Sequence, residues 1–403
     1  MKVLFLTNEY PPHIYGGAGV HVDYLSRELA KMMPVEVRCF GDQRVDKGNL
    51  KVTGYEVDTS SFSCPKPLRS VFGAVRRCTD FNTTNIDANL VHCHTWYTHF
   101  GGILAKKDYG IPLVITVHSL EPLRPWKREQ LAGGYDFSLW VEKTALEMAD
   151  AIVAVSRETK RDIERLFKVD SGRVHVIHNG IDLAQYRKVD SSAALKRYGI
   201  DPNEPYILFV GRIARQKGFQ HLLRAIQFMD PGFQIVLCAA APDTRELQEE
   251  MKTAVERAKA QRSGVIWINE MVDQAATREL YSHAAVFVCP SIYEPFGIIN
   301  LEAMACETAV VASAVGGIKE VVVDGETGFL VPLEKAKEGS FEPTDPGKFA
   351  QDLAQRINQL MKDKQLRQKF GKAGRKRAEE HFSWASIAQR TKALYEKLIR
   401  NSR

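Results

Sequence analysis

Short apolar runs rich in β-branched residues recur along the chain, and each is followed by a turn and a helical stretch. Six runs lie in the first half, at residues 3–7, 35–40, 90–94, 113–118, 152–156 and 174–178. Six more lie in the second half, at residues 206–211, 234–239, 265–268, 286–291, 309–313 and 328–332. Apolar runs that alternate with helices are typical of parallel strands covered on both faces. The pattern predicts an α/β protein with two doubly wound, Rossmann-like domains rather than one very wide sheet.

The regular pattern lapses after residues 179–182, where a polar stretch precedes the next run. We therefore predict one domain at residues 1–185 and a second at residues 186–383. The last stretch, residues 384–403, has apolar side chains at helical spacing that need a surface to pack against. Ligands of open α/β sheets bind beyond the carboxyl ends of the strands, so we expect the domains to face each other across a cleft.

The composition limits the class of protein. Of the 403 residues, 44% are hydrophobic and 26% charged, which excludes a disordered chain. No apolar run reaches the ~18 residues of a membrane span, and the N-terminus lacks a signal peptide, so we expect a cytoplasmic protein without integral membrane association. The net charge of +6 is concentrated beyond Met361, where we expect a solvated helix face and no nucleic-acid partner. The oligomeric state is not readable from the sequence.

Cysteine and histidine patterns give little sign of a metal site. The seven cysteines are scattered and form no C-x-x-C pair, which argues against a zinc ribbon or a disulfide framework. In His92-Cys93-His94, alternate residues of a strand point to opposite faces, so only His92 and His94 share a side. No further ligands lie at zinc spacing, and we expect no metal.

A glycine-rich turn follows the first strand at residues 14–21 and begins a helix. Glycines let the backbone approach a ligand, and N–H groups at a helix N-terminus favour anionic oxygens. A dinucleotide-binding turn would also need a third glycine and an acidic residue capping the second strand, where Phe40 stands, and both are missing. A purely structural turn remains the alternative.

His118 ends a predicted strand on the side where ligands bind, although a buried structural histidine is the alternative. The segment that follows, residues 121–130, combines Trp126 with Arg124, Lys127 and Arg128. Indole rings stack on sugars and guanidinium groups bind phosphates. The segment is therefore a candidate sugar or phosphate site, with a solvated loop as the alternative.

The second domain contains stronger evidence for a ligand site than the first. Its first strand runs into residues 211–218, a glycine turn that places Arg212 and Lys217 just beyond a carboxyl strand end. Two fixed cations suit a diphosphate, above all one whose charge grows as it departs.

Two glutamates, Glu294 and Glu302, then follow with seven residues between them. Pro295 disfavours a helical conformation at Glu294, and Gly297 is predicted to start a helix that carries Glu302. The helix N–H groups can hold an anion while both carboxylates accept hydrogen bonds from hydroxyl groups. The arrangement predicts a site for a nucleoside diphosphate sugar, although a capped helix with a surface glutamate is the alternative.

These motifs together resemble the retaining glycosyltransferases with two Rossmann-like domains (GT-B fold, GT4-like), in the family that includes glycogen and sucrose-phosphate synthases. The resemblance covers nearly the whole chain, and its most specific parts are residues 294–302, 211–218 and 178–182. Residues 9–21 and 118–127 resemble a narrower group, the short ADP-glucose-using glycogen synthases and α-maltose-1-phosphate synthases. Bacterial glycogen synthases usually carry a Lys-x-Gly-Gly motif, whereas Ile14 stands at the lysine position here.

The resemblance implies a role for each matching residue. The donor would be bound by residues of both domains: Gly16, Gly17, Asn179, Arg212, Lys217, Glu294, Phe296, Gly297, Ile298 and Glu302. Among these, Arg212 and Lys217 would neutralise the leaving diphosphate, Glu294 would bind the sugar and Glu302 the ribose. His118 would lie against the reacting sugar. The acceptor would meet four residues of the first domain: Tyr15, Arg124, Trp126 and Lys127.

The resemblance also implies a reaction. Glucose would pass from ADP-glucose to an α-1,4-glucan or to glucose 1-phosphate with retention of configuration, without a cofactor or metal. The second domain would hold the donor, and the first domain, completed by the helix at 384–403, the acceptor. Three alternatives stay open: transfer from UDP-glucose or GDP-mannose to a sugar phosphate, a sugar-nucleotide epimerase, and a non-catalytic carbohydrate-binding protein.

Overall fold

The computed structural model describes residues 1–336 and 340–401. Fourteen strands lie in these residues: β1 (Val3–Thr7), β2 (Val35–Phe40), β3 (Arg44–Lys47), β4 (Leu50–Tyr55), β5 (Leu90–His94), β6 (Leu113–Val117), β7 (Ala151–Ala154), β8 (Val174–Val176), β9 (Tyr206–Arg212), β10 (Gln234–Ala240), β11 (Val265–Ile268), β12 (Val286–Cys289), β13 (Ala309–Ser313) and β14 (Gly328–Val331). All twelve predicted strands are confirmed, with ends that differ by two residues at most.

Fifteen α-helices lie in the same described residues: α1 (Gly17–Ala30), α2 (Lys66–Asn82), α3 (Trp96–Tyr109), α4 (Arg128–Leu131), α5 (Gly134–Met148), α6 (Arg157–Leu166), α7 (Ala193–Arg197), α8 (Phe219–Ala225), α9 (Arg245–Gln261), α10 (Gln274–His283), α11 (Ile298–Ala305), α12 (Ile318–Val321), α13 (Pro346–Lys362), α14 (Lys364–His381) and α15 (Trp384–Asn401). None of them combines the length and apolar character that a membrane crossing requires.

The chain forms two compact units. Unit 1 comprises Met1–Gly180 and Trp384–Arg403, and unit 2 comprises Ile181–Ser383. The predicted boundary after residue 185 lies five residues later than the division in the structure. The intervening residues belong to unit 2 because Ile181 N donates to Phe382 O at 2.8 Å and Arg375 of α14 donates to Tyr186 O at 2.8 Å.

Unit 1 is built on an eight-stranded sheet in the order β3-β4-β2-β1-β5-β6-β7-β8. Its strands are parallel except β3, which runs antiparallel to β4. The sequence pattern missed β3 and β4 because they form an edge hairpin, and β3 is a polar, largely exposed strand without an apolar run. The parallel strands β1, β5, β6 and β7 are buried along their whole length, as strands covered on both faces must be.

The last helix, α15, completes unit 1, as predicted. Ile387 and Leu394 pack in the core that also contains Phe5 of β1. The Tyr395 hydroxyl lies 2.5 Å from His92 Nδ1 in β5. The apolar stripe of α15 is therefore buried against the sheet, and its charged residues lie on the opposite, solvated face. Ser402 and Arg403 of the predicted helix lie outside the described residues.

Unit 2 contains a six-stranded parallel sheet in the order β11-β10-β9-β12-β13-β14. Ile207 of β9 and Ile235 of β10 are buried together with Leu222 of α8 and Leu353 of α13. The central position of β9 places the turn that follows it at the carboxyl edge of the sheet, next to the loops after β10 and β12. The turn after β9 and the loop after β12 carry the predicted donor-site residues of unit 2.

Truncation of Ile387 should destabilise unit 1. Ile387 is 1% exposed, so Ile387→Ala leaves a cavity and should cost about 2–5 kcal/mol of unfolding free energy. Gln389→Ala, an exposed position on the same helix, should change it by less than about 0.5 kcal/mol. Hydrogen exchange resolved by segment measures both, and unchanged protection of β1 and β5 in Ile387→Ala would contradict the packing of α15.

Candidate active site

Two loops of unit 2 are joined through their backbones. The turn at residues 211–218 follows β9, and the loop at residues 290–297 follows β12. Gln216 O accepts a hydrogen bond from Ile292 N at 2.9 Å. Gly218 has φ +64°, and a Cβ there would lie 1.9 Å from a carbonyl oxygen of the second loop. A glycine is therefore required at the point where the loops meet.

This contact places Lys217 against Glu294. Lys217 Nζ lies 2.6 Å from Glu294 Oε2, and the two side chains are 15% and 11% exposed. A second constraint comes from the glycine pair after β13. Gly317 N donates to Glu294 O at 3.0 Å, and a Cβ on Gly316 would lie 1.9 Å from the same oxygen. The structure thus brings together the cation and the carboxylate that the sequence placed in one site.

Arg212, the last residue of β9, has a carboxylate partner. Its Nη1 lies 2.5 Å from Oδ1 of Asp243, whose side chain is 6% exposed. Asp243 N in turn donates to Ile213 O at 3.0 Å, which fixes the carboxylate beside the guanidinium. The sequence reading missed Asp243, although its position shortly after β10 is the signal that could have found it.

Helix α11 begins at Ile298, as the sequence indicated. Gly297 precedes it with φ +94° and forms the N-cap. A diphosphate bound at the N-terminus of α11 would meet the backbone N–H groups of its first turn. The Phe296 side chain is 2% exposed and packs 5.9 Å from the Phe382 ring, so it lies in the interior of unit 2.

Glu302 lies about one turn into α11 and is buried. The Tyr281 hydroxyl donates to Glu302 Oε2 at 3.0 Å. Burial raises the pKa of Glu302, while hydrogen bonds from Tyr281 and Tyr186 act in the opposite direction. The two tyrosines were not predicted as part of this site, and nothing in their spacing marks them.

In unit 1, the glycine-rich turn is held by a carboxylate of its own chain. Glu9 Oε2 accepts hydrogen bonds from Tyr15 N and Gly16 N, both at 2.8 Å. Gly16 is the extended N-cap of α1, and Gly17 is its first residue. Tyr15, predicted at the acceptor, is 47% exposed. The sequence did not predict that Glu9 would hold this turn.

Three histidines from three elements of unit 1 lie together. Ligand nitrogens of His21 in α1, His94 in β5 and His118 after β6 all lie within 4.8 Å of one another, and we call these residues the histidine cluster. His94 Nδ1 is 3.1 Å from His118 Nε2. Sequence spacing did not reveal the cluster because its members lie far apart in the sequence, on three elements that only the fold brings together. His92 stays outside it, since its nitrogens bond Tyr395 and Thr116.

The cluster is uncharged at neutral pH. Burial lowers the pKa of His21 to about 4. Burial and the neighbouring imidazoles hold the pKa values of His94 and His118 well below 6.5. Asn179, predicted to position the sugar, is buried, and its Oδ1 lies 2.7 Å from His21 Nδ1. The structure thus places Asn179 where it orients His21.

The segment at residues 119–127 is fixed from the interior of unit 1. Arg124 Nη1 donates to Ser119 Oγ and to Glu121 Oε1, both at 3.1 Å. Glu142 of α5 accepts a hydrogen bond from Glu121 N at 2.8 Å, and burial together with the nearby Glu121 carboxylate raises the pKa of Glu142 well above its usual value. The segment is therefore an ordered turn rather than a solvated loop.

The predicted acceptor residues Trp126 and Lys127 lie in the same turn. The Lys127 side chain is buried and bonds Gln130, and Trp126 is partly exposed. Arg128 is exposed and pairs with Asp136. At least two of the three cations at residues 121–130 thus already have carboxylate partners within unit 1.

Comparison with known proteins decides the family. Residues 15–185 match the model of Glycosyltransferase Family 4, and residues 190–340 match that of Glycosyl transferases group 1. The α-maltose-1-phosphate synthase of Mycolicibacterium smegmatis is 46% identical over 406 residues, with 99% of this chain and 100% of the relative covered. The chain is a family 4 glycosyltransferase.

Further relatives and solved structures agree. The α-maltose-1-phosphate synthase of Mycobacterium tuberculosis (strain H37Rv) is 44% identical to this glycosyltransferase over 402 residues, with 99% of this chain and 100% of the relative covered. Sucrose-phosphate synthase from Thermosynechococcus elongatus has a TM-score of 0.80 at 25% identity and full coverage of both chains. These likenesses establish a hexosyltransferase with the two Rossmann-like sheets of the GT-B fold.

The acid stability of the glycosyltransferase should depend on a buried histidine outside the cluster. Among the described residues, neither ring nitrogen of His99 in α3 has a hydrogen-bond partner, and burial lowers its pKa to about 3. The unfolded chain therefore takes up a proton below about pH 6.5 that the folded ring refuses, and unit 1 loses stability as the pH falls. By about pH 5, a buried histidine with a pKa lowered in this way should reduce the free energy of unfolding by about 2 kcal/mol.

His99→Leu should flatten this pH dependence and keep or raise stability near neutral pH, because an apolar side chain replaces an unpaired polar one. Chemical unfolding at about pH 7 and about pH 5 measures the effect. His13→Leu is the matched control, since His13 is 56% exposed. An equal pH dependence in wild type and His99→Leu would show that this ring is protonated in the folded state.

Proposed function

We propose that the glycosyltransferase transfers glucose from ADP-glucose to glucose 1-phosphate with retention of configuration, forming α-maltose 1-phosphate. The observation that carries the proposal is the 44–46% identity, over 99% of the chain, to relatives named α-maltose-1-phosphate synthase. A synthase of this product must add one glucosyl group to glucose 1-phosphate. ADP as the donor nucleotide rests on the resemblance of residues 9–21 and 118–127 to enzymes that use ADP-glucose.

Unit 2 supplies the groups that a nucleoside diphosphate sugar needs. Lys217 and Arg212 are cations at a carboxyl sheet edge, and the N-terminus of α11 offers N–H groups. On this proposal Lys217 exchanges its contact with Glu294 for the diphosphate, and the freed Glu294 carboxylate accepts hydrogen bonds from sugar hydroxyls. Glu302 accepts hydrogen bonds from the ribose in the same way.

In the proposed reaction the bond between the anomeric carbon and the β-phosphate oxygen breaks. An acceptor hydroxyl oxygen bonds the anomeric carbon on the face that the phosphate leaves, and its proton passes to a phosphate oxygen. Negative charge on the departing ADP is greatest at the transition state, where Lys217 and Arg212 stabilise it. The step needs no metal or cofactor, because these cations and the helix terminus supply the electrostatic stabilisation.

A matrix of donors and acceptors tests the proposal. Purified protein is incubated with ADP-glucose, UDP-glucose or GDP-mannose, each with glucose 1-phosphate, with glycogen or with no acceptor. We expect ADP release and a disaccharide phosphate from ADP-glucose with glucose 1-phosphate. Elongated glycogen would indicate a glucan synthase instead, and an isomerised donor without acceptor an epimerase. If no pair releases a nucleoside diphosphate, the proposal is wrong.

Lys217→Ala should lower kcat by about 10²–10³ with a smaller effect on KM, because its charge meets the leaving group most strongly at the transition state. Lys252→Ala, an exposed lysine of α9, is the control and should leave both constants near wild type. Circular dichroism checks that both variants fold. A kcat unchanged by Lys217→Ala would remove Lys217 from the leaving-group site.

A further inference from the structure

Two nitrogens of the histidine cluster are buried without a hydrogen-bond partner in the described part of the chain. They are His21 Nε2 and His94 Nε2, and both side chains are at most 1% exposed. A buried polar atom that lacks a partner costs ~1–3 kcal/mol. His21 Nε2 can gain a partner when a ligand binds in the cluster, which an ordinary core histidine cannot. His94 Nε2 gives no such support, because the His94 nitrogen that faces His118 is Nδ1.

His21 already has the surroundings of a metal ligand. Its Nδ1 donates to Asn179 Oδ1 at 2.7 Å, which fixes the tautomer and leaves the lone pair on Nε2. Metal-bound histidines almost always donate their other ring N–H to an oxygen in this way. The buried amide of Asn179 therefore prepares Nε2 as an acceptor for a cation.

The distances suit a tetrahedral ion. With bonds of about 2.0–2.1 Å, ligand nitrogens lie about 3.4 Å apart. His94 Nδ1 and His118 Nε2 are 3.1 Å apart, and a ligand nitrogen of His21 lies within 4.8 Å of one nitrogen of each, so the His21 ring needs to approach by at most about 1.4 Å. The ion replaces the hydrogen bond between His94 and His118. The ring that donates this bond moves its proton to its other nitrogen, so both facing nitrogens offer lone pairs.

We propose that the histidine cluster binds one Zn²⁺ or a similar divalent transition-metal ion through one nitrogen each of His21, His94 and His118. Three imidazoles without a carboxylate suit Zn²⁺, Co²⁺, Ni²⁺ or Cu²⁺ and disfavour Mg²⁺ and Ca²⁺, which prefer oxygen ligands. The fourth position is left to water or an anion. His118 is the one partly exposed member, so the ion enters from its side.

The consequence for activity rests on the proposed function. His118 is the residue assigned to the reacting sugar, and an ion coordinated to its ring occupies that place. The metal is therefore an inhibitor of transfer rather than a cofactor. Inhibition should be reversed by a chelator.

Binding is measured without reference to activity. Full-length protein treated with a chelator is titrated with Co²⁺, whose visible d–d bands are intense in tetrahedral and weak in octahedral coordination. We expect intense bands that saturate at one equivalent, are lost on addition of Zn²⁺ and are unaffected by Mg²⁺. Wild-type protein that shows no saturable intense band overturns the proposal.

Variants locate the site. His21→Ala and His94→Ala should each weaken Co²⁺ binding by at least tenfold, and Asn179→Ala should weaken it by about 10–100-fold by freeing the His21 ring. His13→Ala, an exposed histidine of the same unit, is the control and should bind as wild type does. Circular dichroism establishes which variants fold. An equal loss in His13→Ala, or full binding in a folded His21→Ala, overturns the assignment.

The two proposals fail separately. Stoichiometric Co²⁺ binding by a protein without transferase activity leaves the metal site intact and removes the proposed function. Transfer activity without saturable Co²⁺ binding removes the metal site and leaves the proposed function. Where both are present, inhibition by Zn²⁺ should weaken by the same factor as Co²⁺ affinity in Asn179→Ala, and unequal factors would separate the inhibition from this cluster.

Discussion

The candidate donor site of unit 2 depends on the ion pair between Lys217 and Glu294, which the backbone enforces. The turn after β9 and the loop after β12 can touch only because Gly218 has no side chain at their contact. Gly316 permits an equally close approach on the other side of Glu294. A lysine on a flexible stem seldom gains much from a carboxylate in water. Here both groups are largely buried and their loops are fixed, so the pair has one geometry.

A fixed pair of opposite charges is also a suitable resting state for a proposed diphosphate site. A buried cation without a partner is costly, and so is a buried carboxylate. While they face each other, Lys217 and Glu294 offset each other's desolvation. In the proposed complex each exchanges its partner for a group of the same donor molecule. Arg212 differs, because Asp243 is fixed beside it by the backbone and can hold the guanidinium in place throughout.

The strands were predictable because parallel strands covered by helices must be continuous apolar runs, and such runs are visible in one sequence. The turns at 211–218 and 290–297 were predictable because glycine and proline restrict the backbone locally. Pairings between side chains of different elements were not predictable, although the position of Asp243 shortly after β10 marks it as a candidate site residue. Asp243 and Glu9 become partners of Arg212 and of the glycine-rich turn only when strands and turns are brought together, and no spacing rule encodes that. The hairpin of β3 and β4 was missed because β3 is an edge strand without an apolar run and its neighbour β4 is only partly buried.

The histidine cluster shows most clearly what a sheet adds to a sequence. His94 lies at the end of β5 and His118 directly after the adjacent strand β6, and α1 adds His21 from a distant segment. Burial keeps these rings neutral, and neutral imidazoles without carboxylates nearby are either packing groups or ligands. Packing alone would favour apolar rings, because two of the nitrogens are left unpaired among the described residues. The proposed metal ion would give His21 Nε2 the partner that the described residues do not supply.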